Sequence, residues 1–304
     1  MIVRLIVTAA ILALLATTID MAAAARAVAA VDLGYLAIVL VLVAIDRMVM
    51  ILRWVLLLRA SGIKVSAPHA ARIFLVSSFV GSFLPAGIGG DAARAWGLTR
   101  VTSEGSEALA SVVVDRVLGI LSLVAMGVVG LVMWTPGGGS DWGSIAAIGV
   151  LIGACLAAFF ADRIARAVVP GHWHGGALTR RVLRMTDAIS RYRGRGGVLM
   201  HVMFWSVCVQ LLRITQAYLL GLGLGIAVPF RYYLVFMPVG LLMLLLPVSV
   251  SGFGLPQGVI VWLLRPMGVP DEQSFALSTL IVLTGLAGNV PGLWLWLRER
   301  RQIL

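Results

Sequence analysis

The sequence predicts an all-α polytopic membrane protein with six spanning helices and two oppositely oriented re-entrant helical hairpins, an arrangement that suggests an inverted repeat. Three observations predict this class. Of 304 residues, 61% are hydrophobic and 12% charged, with a mean hydropathy of +1.02. Several apolar runs exceed the roughly 18 residues that mark a spanning helix. Two segments, Phe83-Leu-Pro-Ala-Gly-Ile-Gly-Gly-Asp-Ala-Ala-Arg94 and Leu246-Pro-Val-Ser-Val-Ser-Gly-Phe-Gly-Leu-Pro-Gln257, break apolar helix patterns at membrane depth. Unpaired backbone there is tolerated only inside protein or along a wet cavity, and paired broken helices point to a transport site.

Taken in order, residues 2–25 form the first span. Arg4, the apolar run from Leu5 and the small residues at Ala22 to Ala25 also imitate a signal peptide, but retention as a helix is expected. Residues 33–58 form the second span, and the first hairpin covers about 70–98. Its limb from Ala70 to Leu84 reaches about 22 Å at 1.5 Å per residue, short of the roughly 30 Å hydrocarbon core. Residues 108–134 and 142–161 form the next spans, followed by a basic interfacial segment at 162–197. Residues 198–220 cross again, the second hairpin covers about 229–264, and 274–297 form the last span. The longest polar stretch is too short for a soluble domain, so residues 1–304 are read as one membrane domain.

Charge orients these elements. The net charge of +11 is nearly all arginine, with Lys64 the sole lysine; it reports cytoplasmic loops and anionic lipid rather than nucleic acid. Arg59, Lys64 and Arg72, the arginines of 163–195, and Arg298, Arg300 and Arg301 mark inside positions, whereas 135–141 and 221–230 lack basic residues before Arg231. Both termini are therefore expected in the cytoplasm, with the first hairpin entering from inside and the second from outside. The nine tryptophans, among them Trp134, Trp142 and Trp294, fit largely an interfacial belt.

Each hairpin turning at its Pro-Gly tip starts a returning helix, near Gly89 and Gly90 after Pro85 in the first and near Ser251 and Gly252 in the second. Free N–H groups and about half a positive charge at such an N-terminus favour an anion such as phosphate. Kinks packed on neighbouring helices would carry the same glycines. Asp91 and Arg94 lie one turn apart, Asp91 able to cap N–H groups and Arg94 able to hold phosphate in a bidentate fork. A purely structural Asp91–Arg94 pair fits equally well.

Intramembrane charges are costly enough to be functional candidates by default. They are Asp46 with Arg47, Arg53, Asp115 with Arg116, and Arg213. The adjacent Asp115 and Arg116 are expected to reach different partners. Arg213 needs a partner elsewhere, a carboxylate such as Asp115 or a ligand phosphate, and Arg53 stands near enough to a helix end to snorkel. Nothing calls for a cofactor or metal. His172 and His174 lack a third ligand nearby, Cys155 and Cys208 lie in apolar runs, and Gly221-Leu-Gly-Leu-Gly225 lacks dinucleotide-motif spacing.

Leu84-Pro-Ala-Gly-Ile-Gly-Gly-Asp-Ala-Ala-Arg94, Ser111-Val-Val-Val-Asp-Arg-Val-Leu-Gly119 and Pro247-Val-Ser-Val-Ser-Gly-Phe-Gly254 together resemble the flippase-like transmembrane family related to the membrane region of lysylphosphatidylglycerol synthases. The resemblance covers most of the chain and implies a stand-alone member in a bacterial cytoplasmic membrane. It departs where relatives often carry Arg-Glu and this chain has Pro256 and Gln257, which puts in doubt any ion-coupled role there and points to a different head group. The synthases carry an aminoacyl-transfer domain beyond the membrane region, and the chain ends seven residues after Leu297, so no aminoacyl-lipid synthesis is expected.

The leading expectation is a non-enzymatic lipid translocase for an anionic or polyprenyl-linked lipid. Its site comprises Pro85, Gly89, Gly90, Asp91, Arg94, Asp115, Arg116, Arg213, Ser251, Gly252, Gly254 and Gln257. The alternatives are a membrane-embedded transferase using a lipid-linked donor, which would need a general base and usually a metal, and a proton-coupled small-solute transporter using Asp46 or Asp115.

Overall fold

Capping chemistry and proline placement divide the chain into its helices. The computed structural model describes residues 17–84, 89–102, 105–134, 194–243 and 254–303, with isolated positions 149, 153 and 192. In chain order the helices are α1 (Met21–Ala29), α2 (Leu33–Ser61), α3 (Ala67–Phe83), α4 (Gly89–Thr99), α5 (Gly105–Trp134), α6 (Gly196–Gly223), α7 (Phe230–Met243), α8 (Leu255–Leu264), α9 (Asp271–Ala287) and α10 (Val290–Ile303). Among the described residues there is no strand. Leu33–Ser61, Gly105–Met133, Gly196–Gly223 and Asp271–Arg298 are long and apolar enough to cross a bilayer, so the protein is multi-pass.

Two expected spans are interrupted. Within 2–25, a new helix begins at Met21 because the Asp20 carboxylate accepts from the Ala22 and Ala23 N–H groups at 2.9 and 3.0 Å. Within 274–297, α9 stops and α10 starts across Gly288 and Asn289. Pro291 has no N–H for the Ala287 carbonyl, and its ring crowds that carbonyl. Residues 2–16 of the first expected span, residues 142–161 apart from 149 and 153, most of 162–197, and both His172 and His174 lie outside the described residues.

The long helix α2 is opened by Asp32, whose carboxylate accepts from the Gly34 N–H at 2.7 Å, and closed by Gly62 at φ 87°. It lies along α6. Polar contacts fix their mutual direction, because Asp46 meets Arg213 and Arg53 meets Ser206. Residues seven apart on α2 meet residues seven apart on α6 in reverse order, so the two helices are antiparallel with their polar faces in register.

Helices α3 and α4 pack as a hairpin whose helices are 17 and 11 residues long. Their backbones approach closely at two glycines. A Cβ on Gly81 would stand 2.5 Å from the Gly90 Cα and 2.8 Å from its N. Asn289 donates from Nδ2 to the Ser82 Oγ at 2.9 Å, tying the break in the last span to the end of α3. Helices α7 and α8 also contact each other, with the Tyr232 hydroxyl donating to the Leu263 carbonyl. Beside them an aromatic cluster of Tyr218, Phe230, Tyr233 and Phe236 fills the core between α6 and α7.

Candidate functional site

The close packing of α3 on α4 brings Arg94 inward against α5 and α2. Its NH1 donates to Asp115 Oδ2 at 3.0 Å and its NH2 to Asp91 Oδ1 at 3.3 Å. Its guanidinium also lies 4.5 Å from the Phe74 ring centroid and 5.4 Å from that of Trp54, a cation–π setting. Trp54 itself is buried and donates to Ser111 Oγ, so it is no part of an interfacial belt.

Asp115 is shared. Arg53 Nε donates to its Oδ1 at 2.7 Å, while Arg53 NH1 donates to Ser206 Oγ at 3.0 Å. Arg53 therefore does not snorkel; the Asp115 carboxylate on α5 holds it inside. Arg116 turns from its neighbour Asp115 and places Nε 3.4 Å from Asp91 Oδ2, so the adjacent charges do reach different partners. Asp91 thus faces Arg94 with one oxygen and Arg116 with the other.

The result is a graded chain of charge. Side-chain exposure rises from 6% at Asp115 and 8% at Arg94 through 22% at Asp91 to 37% at Arg116. The buried end joins four helices, and the open end presents a guanidinium to the surroundings. Neither Ser206 nor the Trp54–Phe74 pair was expected from the sequence. The matched seven-residue spacings of Asp46 and Arg53, and of Ser206 and Arg213, are the signal that could have found Ser206.

Arg213 belongs to a separate cluster. Its Nε donates to Asp46 Oδ1 at 3.2 Å, not to Asp115, because the α2–α6 register sets Asp46 opposite it and sets Asp115 against Arg53. Arg47 NH1 lies 3.8 Å from Asp46 Oδ2, and Arg47 NH2 donates to the Gly285 carbonyl at 3.1 Å. Both arginines also direct an N–H at the Met50 sulfur.

At the second hairpin, the returning helix starts at Leu255 rather than near Ser251 and Gly252, which lie outside the described residues, as does Pro85. Gly254 occupies the N-cap at φ 98°, a conformation that favours glycine. Its N–H donates to Gln257 Oε1 at 2.6 Å. Gln257 is fully buried and closes the start of α8, and its Nε2 has no hydrogen-bond partner among the described residues. Gly89 and Gly90 open α4 as expected.

No curated protein matches the chain. The family model for the lysylphosphatidylglycerol synthase TM region matches residues 1–291, and with nearly the whole chain covered the protein belongs to that family of membrane domains.

Proposed function

We propose that this protein is a lipid translocase that takes an anionic or phosphate-bearing head group, including a polyprenyl-linked one, into a polar intramembrane site while the tails stay in the bilayer. The observation that carries the proposal is the graded ion-pair chain at the α3–α4 hairpin, which ends in the partly exposed Arg116. Arg116 makes the contact, since a guanidinium matches phosphate in a fork. Arg94, buried against Asp115 and Asp91, holds the geometry instead of reaching the ligand itself. The N-terminus of α4 at Gly89 and Gly90 and that of α8 at Gly254 supply positive dipole ends. Family membership supports a lipid-related role. Asp46 and Asp115, which a proton-coupled solute transporter would protonate, are each engaged by two guanidiniums.

In this reading six segments cross a bacterial cytoplasmic membrane, both termini face the cytoplasm, and α3–α4 and α7–α8 are re-entrant from opposite sides as an inverted repeat. The test is mass spectrometry of lipids retained by the purified protein, wild type against Arg116→Gln and Arg94→Ala. Selective enrichment of one phosphate-bearing lipid that both variants lose is expected. A retained-lipid profile that matches the bulk membrane and ignores both substitutions would refute the site.

A further inference from the structure

We propose that Arg47 and Arg213 form a second anion station near the middle of the membrane, which receives the phosphate of a lipid head group deeper than the hairpin does; this step rests on the lipid-translocase reading above. Arg47 stands at the midpoint of α2 (Leu33–Ser61), six residues or about 9 Å along the helix from Arg53. The hairpin site and this cluster are therefore separate levels on one helix.

Charge is unbalanced at the deeper level. Among the described residues, the guanidiniums of Arg47 and Arg213 face one carboxylate, Asp46. Asp46 is 4% exposed at its side chain, whereas Arg47 and Arg213 are 18% and 28% exposed, so the carboxylate lies behind the two cations. Both guanidiniums converge on the Met50 sulfur, a weak acceptor that leaves their donor capacity unspent. Arg47 Nε is buried with no hydrogen-bond partner among the described residues. So is Gln216 Nε2, one turn beyond Arg213 on the same side of α6.

A surplus arginine at bilayer depth is costly, and an arriving anion offsets that cost. The break between α9 and α10 makes room for this arrangement. A Cβ on Gly288 would lie 3.0 Å from Arg47 Nε and 2.5 Å from Val43 Cγ1. Glycine there lets Arg47 pass the end of α9 and reach the Gly285 carbonyl. A phosphate suits the site because two adjacent guanidiniums offer forked donors to its several oxygens.

The experiment is native mass spectrometry of the full chain in phosphatidylcholine nanodiscs carrying dioleoyl phosphatidic acid, with inorganic phosphate as a parallel arm. Arg47→Gln removes the surplus charge and leaves the Asp46–Arg213 pair neutral. It should cost one retained phosphatidic acid per protein at saturation and weaken that step about tenfold or more, the scale of a lost charge-assisted hydrogen bond. Arg47→Lys should restore most of it. Asp46→Asn should act in the opposite direction and raise retention.

A merely structural Arg47 predicts unchanged lipid counts for Arg47→Gln, which would overturn the station. If Asp46→Asn fails to fold, the comparison of Arg47→Gln with Arg47→Lys still decides, since equal counts in those two remove the dependence on charge. Loss on Arg116→Gln but not on Arg47→Gln would sink the deeper station and leave the hairpin site standing. Indifference to both substitutions would remove both. Binding of inorganic phosphate with no phosphatidic acid retained would overturn the lipid source.

Discussion

Asp115 shows how one residue can govern a buried site. Its two oxygens hold Arg53 and Arg94 from different helices, at 2.7 and 3.0 Å. Asp115→Asn would leave Arg53 buried with neutral partners and Arg94 with Asp91 alone, and breaking one side of a buried pair costs about 3–5 kcal/mol. A large drop in melting temperature in detergent is therefore expected. Arg116→Gln, at the exposed end of the same chain, should cost less than about 1 kcal/mol, the scale of exposed pairs. Equal losses would mean that the graded burial does not set the energetics. At this scale the sequence marked charged residues that pair with one another in the fold and left their partners open, with Asp115 offered for Arg213 where Asp46 stands. An intramembrane Asp or Arg is conspicuous because it is expensive, which is why Asp46, Arg53, Asp115 and Arg213 could all be picked out. Pairing depends on which helix faces which, and nothing local to Arg213 distinguishes Asp46 from Asp115.

The α3–α4 hairpin depends on close contact at Gly81 and Gly90. Gly81→Ala forces the built methyl, 2.5 Å from the Gly90 Cα, to push α4 away. Backbone on one side cannot yield as a side-chain tip would, so a loss of about 1–3 kcal/mol is expected, as for other overpacked sites. Arg94 rides on α4, so the same variant should also lower lipid retention in the mass-spectrometric assay. Gly97→Ala provides the comparison: its Cβ would meet only the Ile73 side chain, with Cγ2 at 3.1 Å, and a side chain can shift, so a smaller effect is expected. A milder phenotype for Gly81→Ala than for Gly97→Ala would contradict the packing described. Both limbs of this hairpin were legible from their short length and the Pro-Gly break. The division of the last span was not, because an average of hydropathy over 274–297 hides the one missing donor at Pro291. Asp20 was equally easy to overlook, since within an apolar run it looks like a span residue and acts as a cap.

Across the molecule, the proposed inverted repeat would divide the elements into two series. Helix α2, the α3–α4 hairpin and α5 form one series of span, hairpin and span; α6, the α7–α8 hairpin and α9 with α10 form another. The antiparallel contact of α2 with α6 joins the leading helices of the two series and carries both charge clusters on one seam. On the proposed topology, with arginine-rich positions inside, α2 would run toward the cytoplasm and α6 away from it, and the two hairpins would open from opposite faces. A re-entrant hairpin has both of its ends on one side of the membrane, and that property can be measured in whole cells. In a background without Cys155 and Cys208, Lys64→Cys and Thr102→Cys flank α3–α4 and should both resist a membrane-impermeant maleimide added outside. Ala227→Cys and Met267→Cys flank α7–α8 and should both react. Opposite labelling within either pair would turn that hairpin into a full crossing, invert the direction of every later helix, and leave the two ion-pair clusters without the facing hairpins that give them a route to both leaflets.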